Sequence, residues 1–188
     1  STRVRLLCLH GEALRSLGRS AEATTILQAG LDETRRAGDG RAHAAICLRL
    51  GILASEAGDN ERAQRLCEEA RDLGDGLGDR LLVAQARREL GIIAFDAGRM
   101  EDARQNYAAS LEARREIGDR RGEADVLNNL GVHHAAQGRI DAFFLSGGQI
   151  DGRGNINLVG LGPHDRPKVR FPGSFGSAYL YHLIPRVI

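Results

Sequence analysis

The chain has 188 residues, which suits one ordinary domain or a short repeat array with a fragment attached. Its 26 basic and 25 acidic residues nearly cancel, so the net charge of +1 argues against a nucleic-acid or anionic-membrane partner. Three cysteines exclude a disulfide scaffold, and no apolar run is long enough to span a membrane. We therefore expect a soluble, cytoplasmic protein.

Glycine recurs with a period of 40 residues in the first three quarters of the chain. The series are Gly18, Gly58, Gly98 and Gly138, then Gly11, Gly51, Gly91 and Gly131, then Gly38, Gly78 and Gly118. Apolar residues at helical spacing predict two helices in each unit, each ended by a glycine. An aspartate follows each glycine of the third series and can cap the next helix.

The predicted units are incomplete at the far end. The first helix of each unit is expected to end at Ser16, Glu56, Asp96 or Gln137, and its central glycine predicts close packing by a neighbouring helix. No second helix is predicted in the last unit, where Phe143 replaces the expected small residue. The unit boundaries are about 1–38, 39–78, 79–118 and an incomplete 119–142.

Two segments carry a family resemblance. "LRLGILASEAGDNERAQRLCEEA" (48–70) and "RELGIIAFDAGRMEDARQNYAASLEARREIGDRRGEADVLNNLG" (88–131) resemble tetratricopeptide repeats of the 40-residue kind found in bacterial signalling regulators and adaptor proteins. The resemblance covers about 3–142 and implies an α-solenoid of helical hairpins. It also implies a concave groove, lined by the first helix of each unit, that binds a peptide or a partner domain.

The resemblance places seven candidate groove residues around the central Leu-Gly pairs. They are Arg49, Glu56, Arg88, Glu89, Asp96, Asn128 and Asn129. The paired amides are the sharpest candidates because an amide both donates and accepts hydrogen bonds, as an extended peptide requires. The alternative interpretation is that these are solvated polar side chains on a repeat helix.

Composition changes abruptly near residue 142. All four prolines and most aromatic residues follow that point, and no glutamate follows Glu123. Alternation at 155–159 and the segment 167–173 predict short strands, and 177–185 could form a short helix. The change indicates a separate segment, 143–188, in a truncated or chimeric chain.

The second segment resembles another family. "FFLSGGQIDGRGNINLVG" (143–160) and "PKVRFPGSFGSAYL" (167–180) resemble the β-subunit of class I coenzyme A transferases of the glutaconate type. The resemblance implies a partial α/β fold, coenzyme A as the group bound and an α-subunit as a possible partner. The whole chain is thus predicted to be mainly α, with a short α/β fragment at its end.

The coenzyme A transferase resemblance does not predict an active enzyme. It aligns Gly173, Ser174, Phe175 and Gly176 with the family's oxyanion loop, where Phe175 replaces a glycine. The family's chemistry needs a glutamate nucleophile, and the tail has none. We therefore expect no catalytic residue and, outside this alternative, no cofactor.

Other potential sites are weaker. Cys8, Cys47 and Cys67 have no metal-binding spacing and are expected to be small buried thiols, so no metal site is predicted. Arginine pairs such as Arg87-Arg88 and Arg114-Arg115 lie among acidic residues. They predict i, i+4 ion pairs on helix faces rather than a nucleic-acid surface.

Overall fold

The computed structural model describes residues 2–139 and six short segments beyond them. These segments are 142–143, 149–150, 156–157, 160–161, 169–170 and 186–187. The candidate loop at 173–176 and the possible helix at 177–185 lie outside the described residues. The chain divides into two compact units, Ser1–Leu130 and Gly131–Ile188, which we describe separately.

Seven helices occupy the described part up to residue 139. They are α1 (Thr2–Ser16), α2 (Ser20–Ala37), α3 (Gly40–Glu56), α4 (Asn60–Gly76), α5 (Arg80–Asp96), α6 (Met100–Glu116) and α7 (Arg120–Ala136). The predicted ends of three first helices, at Ser16, Glu56 and Asp96, are confirmed, and α7 ends one residue before the predicted Gln137. The 40-residue glycine period therefore predicts the helical repeat correctly.

The turns between helices are built from glycine and aspartate. Seven glycines spaced along the turns, from Gly18 to Gly138, have φ between +65° and +79°, a region that other residues rarely adopt. The Asp39 and Asp79 side chains accept hydrogen bonds from backbone N–H groups of α3 and α5 at 3.1 Å, and Asp119 does the same for α7 at 2.9 Å. The predicted aspartate caps are thus confirmed.

Within the first unit the helices form two layers. From α1 to α6 each helix packs against the next, and α1 also contacts α3, as α3 contacts α5. Helices α1, α3 and α5 therefore form an inner layer and α2, α4 and α6 an outer one. Buried alanine, leucine, isoleucine and cysteine side chains fill the space from α1 to α5. Tyr107 and Val126 belong to a second apolar cluster that joins α5, α6 and α7.

The central glycines allow close helix packing, as predicted. A Cβ at Gly51 would lie 2.6 Å from Cys67 Sγ, and one at Gly91 would lie 2.5 Å from Tyr107 Cε1. Real Cβ atoms essentially never lie so close to another atom, so a larger residue at either position would force its neighbour to move. At Gly131, in the unit where no second helix is predicted, a Cβ would meet no atom of the described residues within 4 Å.

Among its described residues, the second unit contains three pairs of two-residue strands. They are β1 (Ala142–Phe143) parallel to β6 (Arg186–Val187), β2 (Gln149–Ile150) antiparallel to β3 (Ile156–Asn157), and β4 (Gly160–Leu161) antiparallel to β5 (Val169–Arg170). Strand β3 lies within the predicted 155–159 and β5 within 167–173. Isolated pairs do not amount to an open α/β sheet, so the α/β fold of this segment stays a prediction.

Candidate functional site

A groove of about 710 Å³ crosses the inner layer of the first unit. It runs obliquely, from the C-terminal half of α1, across α3 and α5, to the first turns of α7. Its charged lining residues are Glu12, Arg15, Arg49, Glu56, Arg88, Glu89, Asp96, Arg114, Asp119, Arg121 and Asp125. Leu48, Ile52 and Ile92 add apolar surface between them. The lining therefore combines both signs of charge with a short apolar strip.

Five of the seven predicted site residues line this groove together. They are Arg49, Glu56, Arg88, Glu89 and Asp96, and all lie on α3 or α5. The 40-residue period explains this grouping, because equivalent positions of successive inner helices face the same side of the layer. Their contact with a ligand stays a prediction.

Asn128 and Asn129 do not belong to the lining. Asn128 is exposed, and Asn129 is half-buried with a buried Nδ2 that has no hydrogen-bond partner among the described residues. The reason lies in the oblique course of the groove, which reaches α7 at Arg121 and Asp125, one to two turns before the asparagines. Residues at the same position of successive repeats therefore do not all line the groove.

Glu89 brings a buried carboxylate to the groove wall. Its side chain is only 7 % exposed, and the Arg88 guanidinium donates a hydrogen bond to it. Burial raises the pKa of Glu89 above its usual range, and the positive charge of Arg88 opposes that rise. Arg88 is thus held in place by its neighbour along the helix.

Arg15 joins two inner helices at one end of the groove. Its guanidinium donates to Glu12 within α1 and to Glu56 at the end of α3, each at 2.6 Å. Because the three side chains are a third or more exposed, the pairs order the surface more than they stabilise the fold. Arg15 is one of the groove residues that the sequence analysis did not single out.

Arg114 reaches the groove from the outer helix α6. Its side chain is 6 % exposed, and Nη1 donates to Asp119 Oδ2 at 2.5 Å. The guanidinium passes so close to α7 that a Cβ at Gly122 would overlap Nη1. Gly122 is equivalent to Ala42 and Leu82 in the earlier units, so a glycine here departs from the 40-residue pattern. That departure is the sequence signal that could have pointed to Arg114.

The predicted i, i+4 geometry of the arginine pairs is wrong at the groove. Arg114 pairs with Asp119 and Arg115 with Glu123, so both ion pairs join α6 to the turn or helix that follows. The carboxylates come from α7 and its cap, since the Gly-Asp turn before α7 brings the start of that helix beside the end of α6. These two arginines therefore link α6 to α7 and its cap, and they do not form ion pairs along one face of α6.

Four groove arginines retain hydrogen-bonding capacity. Arg15, Arg49, Arg88 and Arg114 each have a buried Nε that has no hydrogen-bond partner among the described residues. A buried donor without a partner costs free energy. The side chains of Arg15, Arg49 and Arg88 are nevertheless 33 %, 36 % and 30 % exposed, so these side chains remain accessible to a ligand in the groove.

All three cysteines are free and buried, as predicted. Burial raises the pKa of Cys47 and of Cys67 to about 12, and it also raises the pKa of Cys8, where the charge of Arg49 opposes the rise. These thiols stay protonated at neutral pH and so are poor nucleophiles in the folded protein.

Comparison with known proteins agrees with the helical geometry. Residues 82–142 match the family model of the tetratricopeptide repeat, a repeat that generally mediates protein–protein interactions. The crystal structure of BtubC (BKLC) from P. vanneervenii is similar with a TM-score of 0.64 at 19 % identity, over 72 % of this chain and 57 % of that one. At that identity the likeness shows the fold alone.

A short match involves an enzyme subunit. One of the subunits of the 3-oxoadipate CoA-transferase of Pseudomonas knackmussii is 50 % identical over 40 residues, which are 21 % of this chain and 15 % of that protein. The chain thus spans a small part of that relative, and it spans 57 % of the BtubC chain. The glutaconate type expected from the sequence stays a prediction.

No helix in the described part of the chain is long and apolar enough to cross a membrane. The helices themselves, with their 40-residue glycine period, paired layers and matching family model, form an α-solenoid of tetratricopeptide-like repeats.

Proposed function

We propose that this chain is a protein-interaction scaffold that binds a peptide or partner domain in the groove across its inner helices. The observation that carries the proposal is the set of groove arginines Arg15, Arg49 and Arg88, whose side chains are about a third exposed. A peptide backbone or an acidic side chain supplies acceptors for their N–H groups. The apolar strip at Ile52 and Ile92 adds a surface for side chains of the ligand.

Mixed charge in the groove favours specificity over raw affinity. Each of the two most buried arginines has an acid beside it, as Arg88 has Glu89 and Arg114 has Asp119. A ligand must therefore place its own charges in register with this pattern, since a like charge opposite either sign is unfavourable. A uniformly acidic or basic partner fits this lining poorly.

Peptide display on the whole chain tests the proposal. Peptides enriched on the wild type are measured by fluorescence anisotropy against Arg49→Ala, in the groove, and Asn128→Ala, an exposed residue outside it. We expect Arg49→Ala to weaken binding by about tenfold or more, since truncating an anchor arginine typically costs over about 1 kcal/mol. Asn128→Ala should stay within about twofold.

Equal weakening by both variants would move the binding site away from the groove. Circular dichroism of each variant controls for folding, which both should retain because Arg49 is only half-buried and Asn128 is exposed. Peptide binding would be contradicted altogether if no enriched peptide bound the wild type in solution.

A second candidate function rests on the short enzyme match. The 40-residue likeness to a subunit of a CoA-transferase supports a non-catalytic fragment of a β-subunit of that family, one that would meet acyl-coenzyme A thioesters and an α-subunit. No glutamate follows Glu123, so this fragment could not form the family's glutamyl intermediate. Thermal unfolding with millimolar acyl-coenzyme A tests it, because a ligand that binds the folded state raises Tm. An unchanged Tm would contradict it.

A further inference from the structure

Three potential metal ligands converge where helix α3 packs against helix α4. His43 and Cys47 lie four residues apart on α3, hence on one face of that helix, and Glu69 faces them from α4. A His43 nitrogen, Cys47 Sγ and a Glu69 carboxylate oxygen all lie within 4.8 Å of one another. His43 and Cys47 are buried, while the Glu69 side chain is 43 % exposed.

The hydrogen bond to Thr34 favours one tautomer of His43. The Thr34 hydroxyl donates to the Leu31 carbonyl at 2.8 Å, so its oxygen is left to accept from His43 Nδ1–H at 3.1 Å. In this tautomer Nε2 is the nitrogen available to a metal ion, and it lies 2.9 Å from Glu69 Oε1.

The same arrangement is typical of metal-binding histidines. A ligating imidazole usually donates its other ring N–H to a neighbouring oxygen, which fixes the ring and raises its basicity. Thr34 does this for His43. The site also has an entrance, because His43 and Glu69 line an open cavity of about 730 Å³ through which an ion and its water can reach them.

We propose that His43 Nε2, Cys47 Sγ and the Glu69 carboxylate bind one divalent cation of the Zn²⁺ class, with water from the adjoining cavity as the fourth ligand. A nitrogen, a thiolate and a carboxylate form a donor set that suits Zn²⁺ or Co²⁺ and disfavours Ca²⁺ and Mg²⁺. Cys47 binds as thiolate, so its thiol proton passes to bulk water as the ion enters. The exposed Glu69 side chain can adjust to the metal, and the two ligands on α3 are held by the helix.

Co²⁺ titration of the purified full chain tests the site, because cobalt takes the place of Zn²⁺ and reports its ligands optically. We expect one Co²⁺ per chain, a thiolate-to-cobalt charge-transfer band, and displacement of the cobalt by one equivalent of Zn²⁺. Cys47→Ala should abolish the band, whereas Cys8→Ala, which removes another buried thiol, should leave it. Glu69→Gln should weaken Co²⁺ binding, and Glu68→Gln, at the same cavity, should leave the affinity unchanged.

Thr34→Val gives a graded readout. It keeps the side-chain volume but removes the acceptor for His43 Nδ1–H, and loss of such a partner lowers metal affinity by about 10–100-fold. A band that survives Cys47→Ala, or Glu69→Gln and Glu68→Gln variants that bind equally well, would overturn the site. Absence of any thiolate band in the folded wild type would also overturn it.

Discussion

Helices α5 and α7 occupy the same position in successive repeats, yet they differ in how their equivalent residues are packed. In α5, Leu90 is 6 % exposed and Gly91 lies against the ring of Tyr107 from α6. In α7, Leu130 is half-buried and Gly131 has no described atom near its missing side chain. The period of a repeat predicts its helices, whereas the burial of each helix depends on what the following helix supplies.

The largest expected effect separates the two leucines. Leu90→Ala should lower the free energy of unfolding by about 2–5 kcal/mol, since it leaves a cavity in the core. Leu130→Ala is the matched control and should cost less than about 2 kcal/mol, because its side chain has less burial to lose. Urea unfolding of both variants measures the difference. Equal costs would mean that α7 is packed as α5 is.

A smaller effect is expected at the glycine that follows Leu90. An alanine methyl at position 91 would lie 2.5 Å from Tyr107 Cε1, and the tyrosine is itself buried. Overpacking costs up to about 3 kcal/mol, and the gain in helix propensity returns about 1 kcal/mol. Gly91→Ala should therefore destabilise the protein by about 2 kcal/mol in urea unfolding. A stabilised variant would show that Tyr107 can move aside.

The equivalent substitution in α7 should have the opposite sign. Gly131→Ala places a methyl where no described atom lies within 4 Å, so only helix propensity changes. The variant should gain about 1 kcal/mol in the same urea experiment. A loss of stability would mean that Gly131 is in close contact after all.

The repeat pattern predicted most of the fold because its signals are local. Glycine at the turns, aspartate at the caps and apolar residues at helical spacing act through the backbone and the nearest turn of helix. The same locality limits what the pattern says about Gly131, where the role of a small residue depends on a neighbour outside its own helix. Burial depends on tertiary contacts, which the sequence period alone does not predict.

The groove was predictable only in part for a related reason. Residues of α3 and α5 follow from repeat equivalence, and five of the predicted site residues line the groove. The oblique course of the groove, which leaves out Asn128, and the entry of Arg114 from an outer helix depend on how successive hairpins are offset. The His43, Cys47 and Glu69 cluster likewise joins two helices, and spacing within one helix shows only its first two members.

The smallest expected effect contrasts Glu89 with its equivalent, the neutral Asn129. Burial raises the pKa of Glu89, so between the unfolded and folded pKa values the folded state binds more protons than the unfolded state. The free energy of unfolding contributed by Glu89 therefore falls as the pH rises through that window, from about 4.5 upward.

Glu89→Gln does not titrate at this position, so the variant should gain stability relative to the wild type across this window and hold a constant difference above it. Urea unfolding of both proteins from acidic to neutral pH measures this difference, with Glu61→Gln, an exposed glutamate of α4, as the control. Parallel pH profiles for wild type and Glu89→Gln would show that Arg88 offsets the burial of the carboxylate in full.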